Sequence, residues 1–426
     1  MKTVFADARL IDPEADQETH GWLLVENGMI VASGADDPPE ADHVVACRGL
    51  CLAPGIVDLG VKVCEPGERH KESYRSAGAA AAAGGVTTMV TRPDTDPAID
   101  SPETLEFVAR RANEAAPVHV LPMAALTKGR SGREMTEIGF LMDAGAVAFT
   151  DCDHVVRDTK VLVRALRYAS GLGALVVGHV QEPDLSAGAA ATSGALASRL
   201  GLPSAPALAE RMGLERDVAL LEMTGVRYHG DQITTEAALD VLKAAKDRGL
   251  DITAGTSIHH LTLTEADIAD YRTFFKVKPP LRSVSDRKAV AAALREGLID
   301  TLSSMHTPQD EESKRLPFEE AASGAVGLET LLSASLGLVE QDEITLPALF
   351  RALSLNPARR LGLDCGRLSA GAPADLVLFD PAIPRTIDRW ALKSKSKNTP
   401  YDGATLRGAV RATYVSGEAV FEADHA

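Results

Sequence analysis

From about Gly55 to Leu363 the chain alternates short β-branched, apolar runs with stretches rich in Ala, Leu, Glu and Arg. No other feature limits its fold so strongly. Strand candidates are GIVDLGV, VTTMVTRP, VHVLPMAAL, AVAFTD, ALVVGHV, VRYHGDQIT, DITAGTS and DTLSSM. Helical stretches such as SYRSAGAAAAAGG, SPETLEFVARRANEA, TKVLVRALRYASG, TTEAALDVLKAAKDRG and SDRKAVAAALREG lie between them. Such an alternation, sustained over roughly 300 residues, predicts a (β/α)8 barrel, in which each parallel strand is followed by a crossover helix. The ends read differently. TVFADARLID, GWLLVENGMIVASG, HVVACRGLCLAPG, ADLVLFDP and GAVRATYVSGEAVF are strand-like, with turn signals at Glu26-Asn27-Gly28, Asp380-Pro381 and Ser416-Gly417. The expectation is an α/β chain with a TIM barrel at 54–363 and a small β-sandwich domain built from both termini, 1–53 and 364–426.

The 426 residues carry 44 Lys and Arg against 60 Asp and Glu, a net charge of −16. So acidic a surface gains nothing from phosphate backbones or anionic lipid, and neither nucleic acid nor membrane is expected as a partner. The N-terminus has no leader pattern and no long apolar run occurs, so the chain reads as cytoplasmic. Cys47 and Cys51 could pair on a metal, but no second pair follows, and buried thiols are the simpler reading. GAAAAAGG lacks the Lys-Ser/Thr partner of a phosphate loop, and Gly194–Ser198 reads as ordinary helix rather than a nucleophile elbow. The run Lys393–Asn398 is expected to be a solvated loop.

Barrels keep their chemistry at the C-terminal ends of strands. The residues there are Asp58 to Gly67, Arg92-Pro93-Asp94, Asp151, His179, His229 with Gln232, His259-His260, and Ser304-Met305-His306. Strand-end Asp and His could ligate zinc, yet no two His sit at i, i+2 or i, i+4. A metal site and a water-satisfied polar mouth both stay open. His229 and the His259-His260 pair are read as structural, hydrogen-bonded histidines.

PGIVDL, EPGERHKES, AAAAGGVTT, GAVAFTD, RGLDITAGTSIHHL, KPPLRSVSDR, PFEEAASGAVGLET, LSLNPAR and SKSKNTPYDG occur in an order that resembles bacterial dihydroorotases of the amidohydrolase superfamily. The resemblance implies a metal-dependent barrel with a terminal β-sandwich. It also implies chemistry between dihydroorotate and carbamoyl aspartate, in which a metal hydroxide attacks the ring carbonyl and an Asp moves the proton. The family's His-x-His falls on Gly60 and Lys62, its carboxylate-clamping Arg on Cys64 and its Asn on Asp94. Its Asp and His ligands are kept at Asp151 and His179, while a further His falls on Gln232. The catalytic Asp falls on Met305, beside a retained His306.

Two donors do not fix a catalytic zinc, and a thioether cannot move a proton. The expectation is therefore a catalytically inactive homologue of pyrimidine biosynthesis with no metal or other cofactor. Its Asp-Leu-Gly-Val, Gln-Ile-Thr and Ser-Ser-x-His segments are similar to non-catalytic chains that serve aspartate carbamoyltransferase as structural partner. A homodimer is expected from the superfamily. The alternative is an amidohydrolase with an altered, single-zinc centre, held by Asp151, His179 and either His229 or His306, acting on dihydroorotate or another cyclic amide. Lys62 is then a base, or more simply a cation paired with Asp151 or Asp94 that replaces lost metal charge.

Overall fold

The computed structural model describes residues 2–423. The N-terminal strands are β1 (Lys2–Asp12), β2 (Gln17–Glu26), β3 (Met29–Gly34), β4 (His43–Ala46) and β5 (Cys51–Pro54). The barrel strands are β6 (Ile56–Val61), β7 (Val86–Thr91), β8 (His119–Pro122) and β9 (Leu175–Gly178). A short surface pair, β10 (Ala191–Thr192) and β11 (Ser204–Ala205), precedes β12 (Arg227–Gly230), β13 (Ile252–Ser257) and β14 (Thr301–Ser303). The chain closes with β15 (Leu376–Thr386), β16 (Thr405–Val415) and β17 (Glu418–Glu422).

Parallel arcs β6-β7-β8 and β9-β12-β13-β14 are joined where Phe149 bridges Ala124 on one side and Val176 on the other. AVAFTD thus supplies the fourth strand position through a single bridging residue. At the other seam the Lys62 N–H donates to the His306 carbonyl at 2.8 Å, setting β14 beside β6. The long crossover helices start where the sequence supplies caps: Ser73 before Tyr74–Ala83, Ser101 before Pro102–Ala115, Asp158 before Thr159–Gly171 and Ser283 before Val284–Arg295. Among the described residues no helix is long and apolar enough to cross a membrane.

The terminal strands form one hydrogen-bonded sheet, in the order β17-β16-β15-β5-β1-β2-β3 with β4 on β1, rather than two separate sheets. Phe5, Leu23, Leu52, Leu376 and Tyr414 pack together on one of its faces. Ile11, Cys51, Val377 and Phe379 point the other way and join the barrel core. That alternation is the period-two geometry of a strand buried on both sides. Asn27-Gly28 and Ser416-Gly417 are two-residue turns with all four φ angles positive, the backbone such hairpins need. Asp380-Pro381 is not a turn. β15 runs through it with a bulge against β16, and because β5 pairs with β15 only as far as Phe379, the prolines lie on a free edge that requires no N–H. Lys393–Asn398 is not a solvated loop either. Ser394, Ser396 and Asn398 are buried, and the Asn398 amide donates to the Thr307 and Gly324 carbonyls at 3.1 and 3.0 Å, bracing the loops above the barrel mouth.

Candidate active site

The mouth holds a cavity of about 270 Å³. Four cationic side chains reach it, Lys62, Arg92, Arg130 and Lys278, against two carboxylates, Asp94 and Asp153. Lys62 follows β6, and its ammonium lies 3.3 Å from Asp94 Oδ2; Arg92, at the end of β7, meets the same oxygen at 3.1 Å. Burial works against the Asp94 charge, but Arg92 and Lys62 overcome it and hold the carboxyl below its ordinary range. The same pairing, against burial, keeps the Lys62 ammonium above the usual lysine value. Arg130 reaches Asp153 at 3.0 Å and the Asp151 carbonyl at 3.1 Å, while the Lys278 ammonium sits 3.0 Å from Asp153 Oδ2. Next to this group, burial lifts the Asp231 carboxyl to about 6 in spite of Arg92.

Of the residues singled out in the sequence, Lys62, Arg92, Asp94, Gln232, Met305 and the pair His259-His260 line this cavity. The Gln232 amide donates to the Lys278 carbonyl at 3.3 Å. Gly60 and Met305 form a packing pair, because a Cβ on residue 60 would lie inside van der Waals contact of Met305 Sδ. Cys64 is buried, its thiol pushed up to about 12 by burial. His306 is enclosed: Nδ1 accepts from the Gly327 N–H at 3.2 Å and Nε2 faces Glu72 Oε2 at 3.5 Å. Asp58 fastens the seam, its Oδ1 accepting from the N–H groups of Gly60 and Ser304 at 3.3 and 3.1 Å.

Asp151 and His179 are not among the residues lining this cavity; both border a narrow space of about 30 Å³, and His179 also lines a wider cleft that shares Arg130, Asp153, His154 and Lys278 with the mouth. The Asp151 carboxylate is fully engaged. It accepts from the Leu126 and Thr127 N–H groups at 3.0 and 2.9 Å and, at short range, from the Thr127 hydroxyl. Burial, then Lys278, push His179 down to about 3, so its imidazole is neutral. Among the described residues no three His, Cys, Asp or Glu are grouped closely enough to hold a metal ion. The family's zinc centre, whether double or single, therefore does not fit these residues. His229 belongs to the barrel wall, with Nδ1 2.9 Å from the Thr253 hydroxyl.

The two adjacent histidines differ. His260 is structural, with Nδ1 2.7 Å from Ser257 Oγ and Nε2 3.1 Å from the Pro279 carbonyl. His259 lines the cavity, stacks on Tyr401 at 5.9 Å, and has no hydrogen-bond partner at either ring nitrogen. Burial, then the neighbouring His306, lower its pKa to about 4, although the Ser304 carbonyl on that side favours the charged form. His259 is thus a neutral, buried imidazole in the cavity wall, with the Ser304 carbonyl as a polar neighbour beyond ordinary hydrogen-bond geometry. Sequence reasoning also passed over Arg130, Asp153 and Lys278. The first two lie in loops beyond the strand ends, and Lys278 stands in KPPLR with nothing local to mark it.

The Dihydro-orotase-like family model matches residues 49–238. A relative named Dihydroorotase from Syntrophus aciditrophicus is 38% identical over 426 residues, covering 100% of each chain. A Dihydroorotase-like protein from Pseudomonas putida is 39% identical over 412 residues, 96% of this chain and 97% of its own. Among solved structures, the L-hydantoinase (dihydropyrimidinase) from Arthrobacter aurescens superposes with a TM-score of 0.89 at 24% identity, over 99% of this chain and 96% of that one, which shows a shared fold. Full-length likeness to relatives named Dihydroorotase overturns the expectation of an inactive homologue kept as a structural partner. That expectation counted the ligands lost from the mouth. It weighed Lys62 as a replacement for lost metal charge but not the further cations Arg130 and Lys278 that join it at the mouth.

Proposed function

This chain belongs to the dihydroorotase-like family of the amidohydrolase superfamily, and we propose on that premise that it acts on dihydroorotate or a closely related cyclic amide at an altered centre. The observation that carries the reading is the cationic cavity at the barrel mouth. A small ring bearing a carboxylate suits its size, and an excess of cations over carboxylates suits an anionic ligand. Lys62, Arg92 and Lys278 hold the ligand's carboxylate and the oxyanion that forms when water adds to the ring carbonyl. His259 is the proton carrier in this reading: once a turn of its Tyr401-stacked ring exposes one of the buried nitrogens, it takes a proton from the attacking water and returns it to the ring nitrogen as the C–N bond breaks. Water is the only co-reactant, and the product is the open carbamoyl acid. No step is assigned to a metal.

The test is interconversion of dihydroorotate and carbamoyl aspartate by the purified chain. Turnover is expected; its absence with both compounds and with a hydantoin overturns the reading. A cytoplasmic location, division into a barrel at 54–363 and a terminal domain, homodimerisation, and association of the working enzyme with aspartate carbamoyltransferase are separate proposals. For the last two, sedimentation of the chain alone and mixed with that enzyme decides.

A further inference from the structure

We propose that the positive charge which the resemblance assigns to metal ions is carried here by fixed ammonium and guanidinium groups, centred on Lys62, so that the mouth binds a small carboxylate ligand without any metal. The inference rests on the active-site reading above for the place where the ligand sits.

Four observations converge. Lys62 stands at a family ligand position, and its ammonium is held in the cavity by Asp94 at 3.3 Å rather than left in solvent. The other first-strand ligand position is filled, since Met305 Sδ occupies the room that a side chain on residue 60 would need. The two surviving donors, Asp151 and His179, do not line the cavity that holds Lys62, and Asp151 already accepts three hydrogen bonds. Lastly, cations outnumber carboxylates at the cavity wall itself. Lys62, Arg92, Arg130 and Lys278 meet Asp94 and Asp153 at the cavity wall, with Asp151 and Asp231 set outside it. A dication would enter against that balance of charge, whereas a carboxylate enters with it.

Calorimetry on the full chain with carbamoyl aspartate as the probe decides, run as purified, after chelation, and with added zinc. Affinity is expected to stay within about twofold across the three. K62M should weaken it at least about tenfold, and K62R should restore most of it. The melting temperature of each variant separates misfolding from lost contact, and K62Q is the second probe should K62M fail to fold. Loss of binding on chelation, stoichiometric zinc uptake, no binding by the wild type, or K62M binding like the wild type would each overturn the inference. Binding without turnover would leave it standing and sink only the proposed reaction.

Discussion

Gly60 and Met305 show how two residues can exclude a third. G60H places a ring where Met305 Sδ lies, and overpacking of that kind costs about 1–3 kcal/mol. Its melting temperature should fall, and G60H/M305A should recover most of the loss; equal stability of G60H and wild type would show that the two positions are not coupled. His259 makes a different prediction. H259N should retain affinity for carbamoyl aspartate and lose turnover by about two orders of magnitude or more, the usual worth of a positioned proton carrier. Imidazole added to H259A should restore part of the rate, an effect no structural role would produce. H260N, by contrast, should lower stability because His260 joins Ser257 to the Pro279 carbonyl. At this scale the sequence was partly legible. A Lys next to candidate carboxylates predicts an ion pair, and Lys62–Asp94 is one. Nothing in His-His says which ring is committed, since that is decided by Ser257 and Pro279, distant from any motif.

Between elements, the buried pair Arg282–Glu210 ties together segments that are far apart in sequence. Glu210, on the helix Leu208–Thr224, accepts from the N–H groups of Thr234 and Thr235 at 2.7 and 2.8 Å and from Arg282 at 3.3 Å. Arg282 also donates to Thr192 at 3.1 Å, so helix, loop and surface strand share one knot. Removing one partner leaves a buried charge unpaired, and R282M is expected to cost about 3–5 kcal/mol by denaturant unfolding. A loss below about 1 kcal/mol would show that water replaces the guanidinium there. The same knot explains a gap in the sequence reading. Glu210 and Asp217 lie on the buried side of their helix, so LAERMGLERDVALLEMT shows little of the apolar stripe that marks a surface helix. Capped, amphipathic helices and Asn-Gly turns were legible because their signals are local. The course of β15 through Asp380-Pro381 was not, because it depends on where β5 stops pairing.

At the scale of the whole molecule, the terminal sheet and the barrel share one core, in which Ile11, Val377 and Phe379 pack with Ile56, Leu349 and Phe350. One unfolding transition is expected, and its midpoint should depend on pH. His179, His229 and His260, lowered to about 3, and His259, lowered to about 4, are each displaced chiefly by burial and stay neutral when folded. The unfolded chain protonates them near their ordinary value of 6.5 and so binds more protons below it, which makes stability fall as pH falls. Asp231, raised to about 6 by burial, acts in the opposite sense, as do the carboxyls of Asp58, Asp151, Asp217, Asp300 and Glu329 that burial also raises, while the lowered carboxyls of Glu72, Asp94 and Asp153 act with the imidazoles. The melting temperature should therefore drop between pH 7 and 5, and a flat profile would mean that these rings are hydrated in the fold. The strand–helix order was legible over the whole chain because each element repeats it. The mouth was legible in Lys62, Arg92 and Asp94 at strand ends, but not in Arg130, Asp153 and Lys278, which come from separate loops that folding alone brings together. The most direct test of the account is a crystal structure of the chain grown with carbamoyl aspartate and zinc, with diffraction recorded at the zinc edge. The account predicts ligand carboxylate on Lys62 and Arg92, its ureide within reach of His259, and no anomalous peak in the mouth. A zinc peak between Asp151 and His179, or a ligand bound away from Lys62, would contradict it.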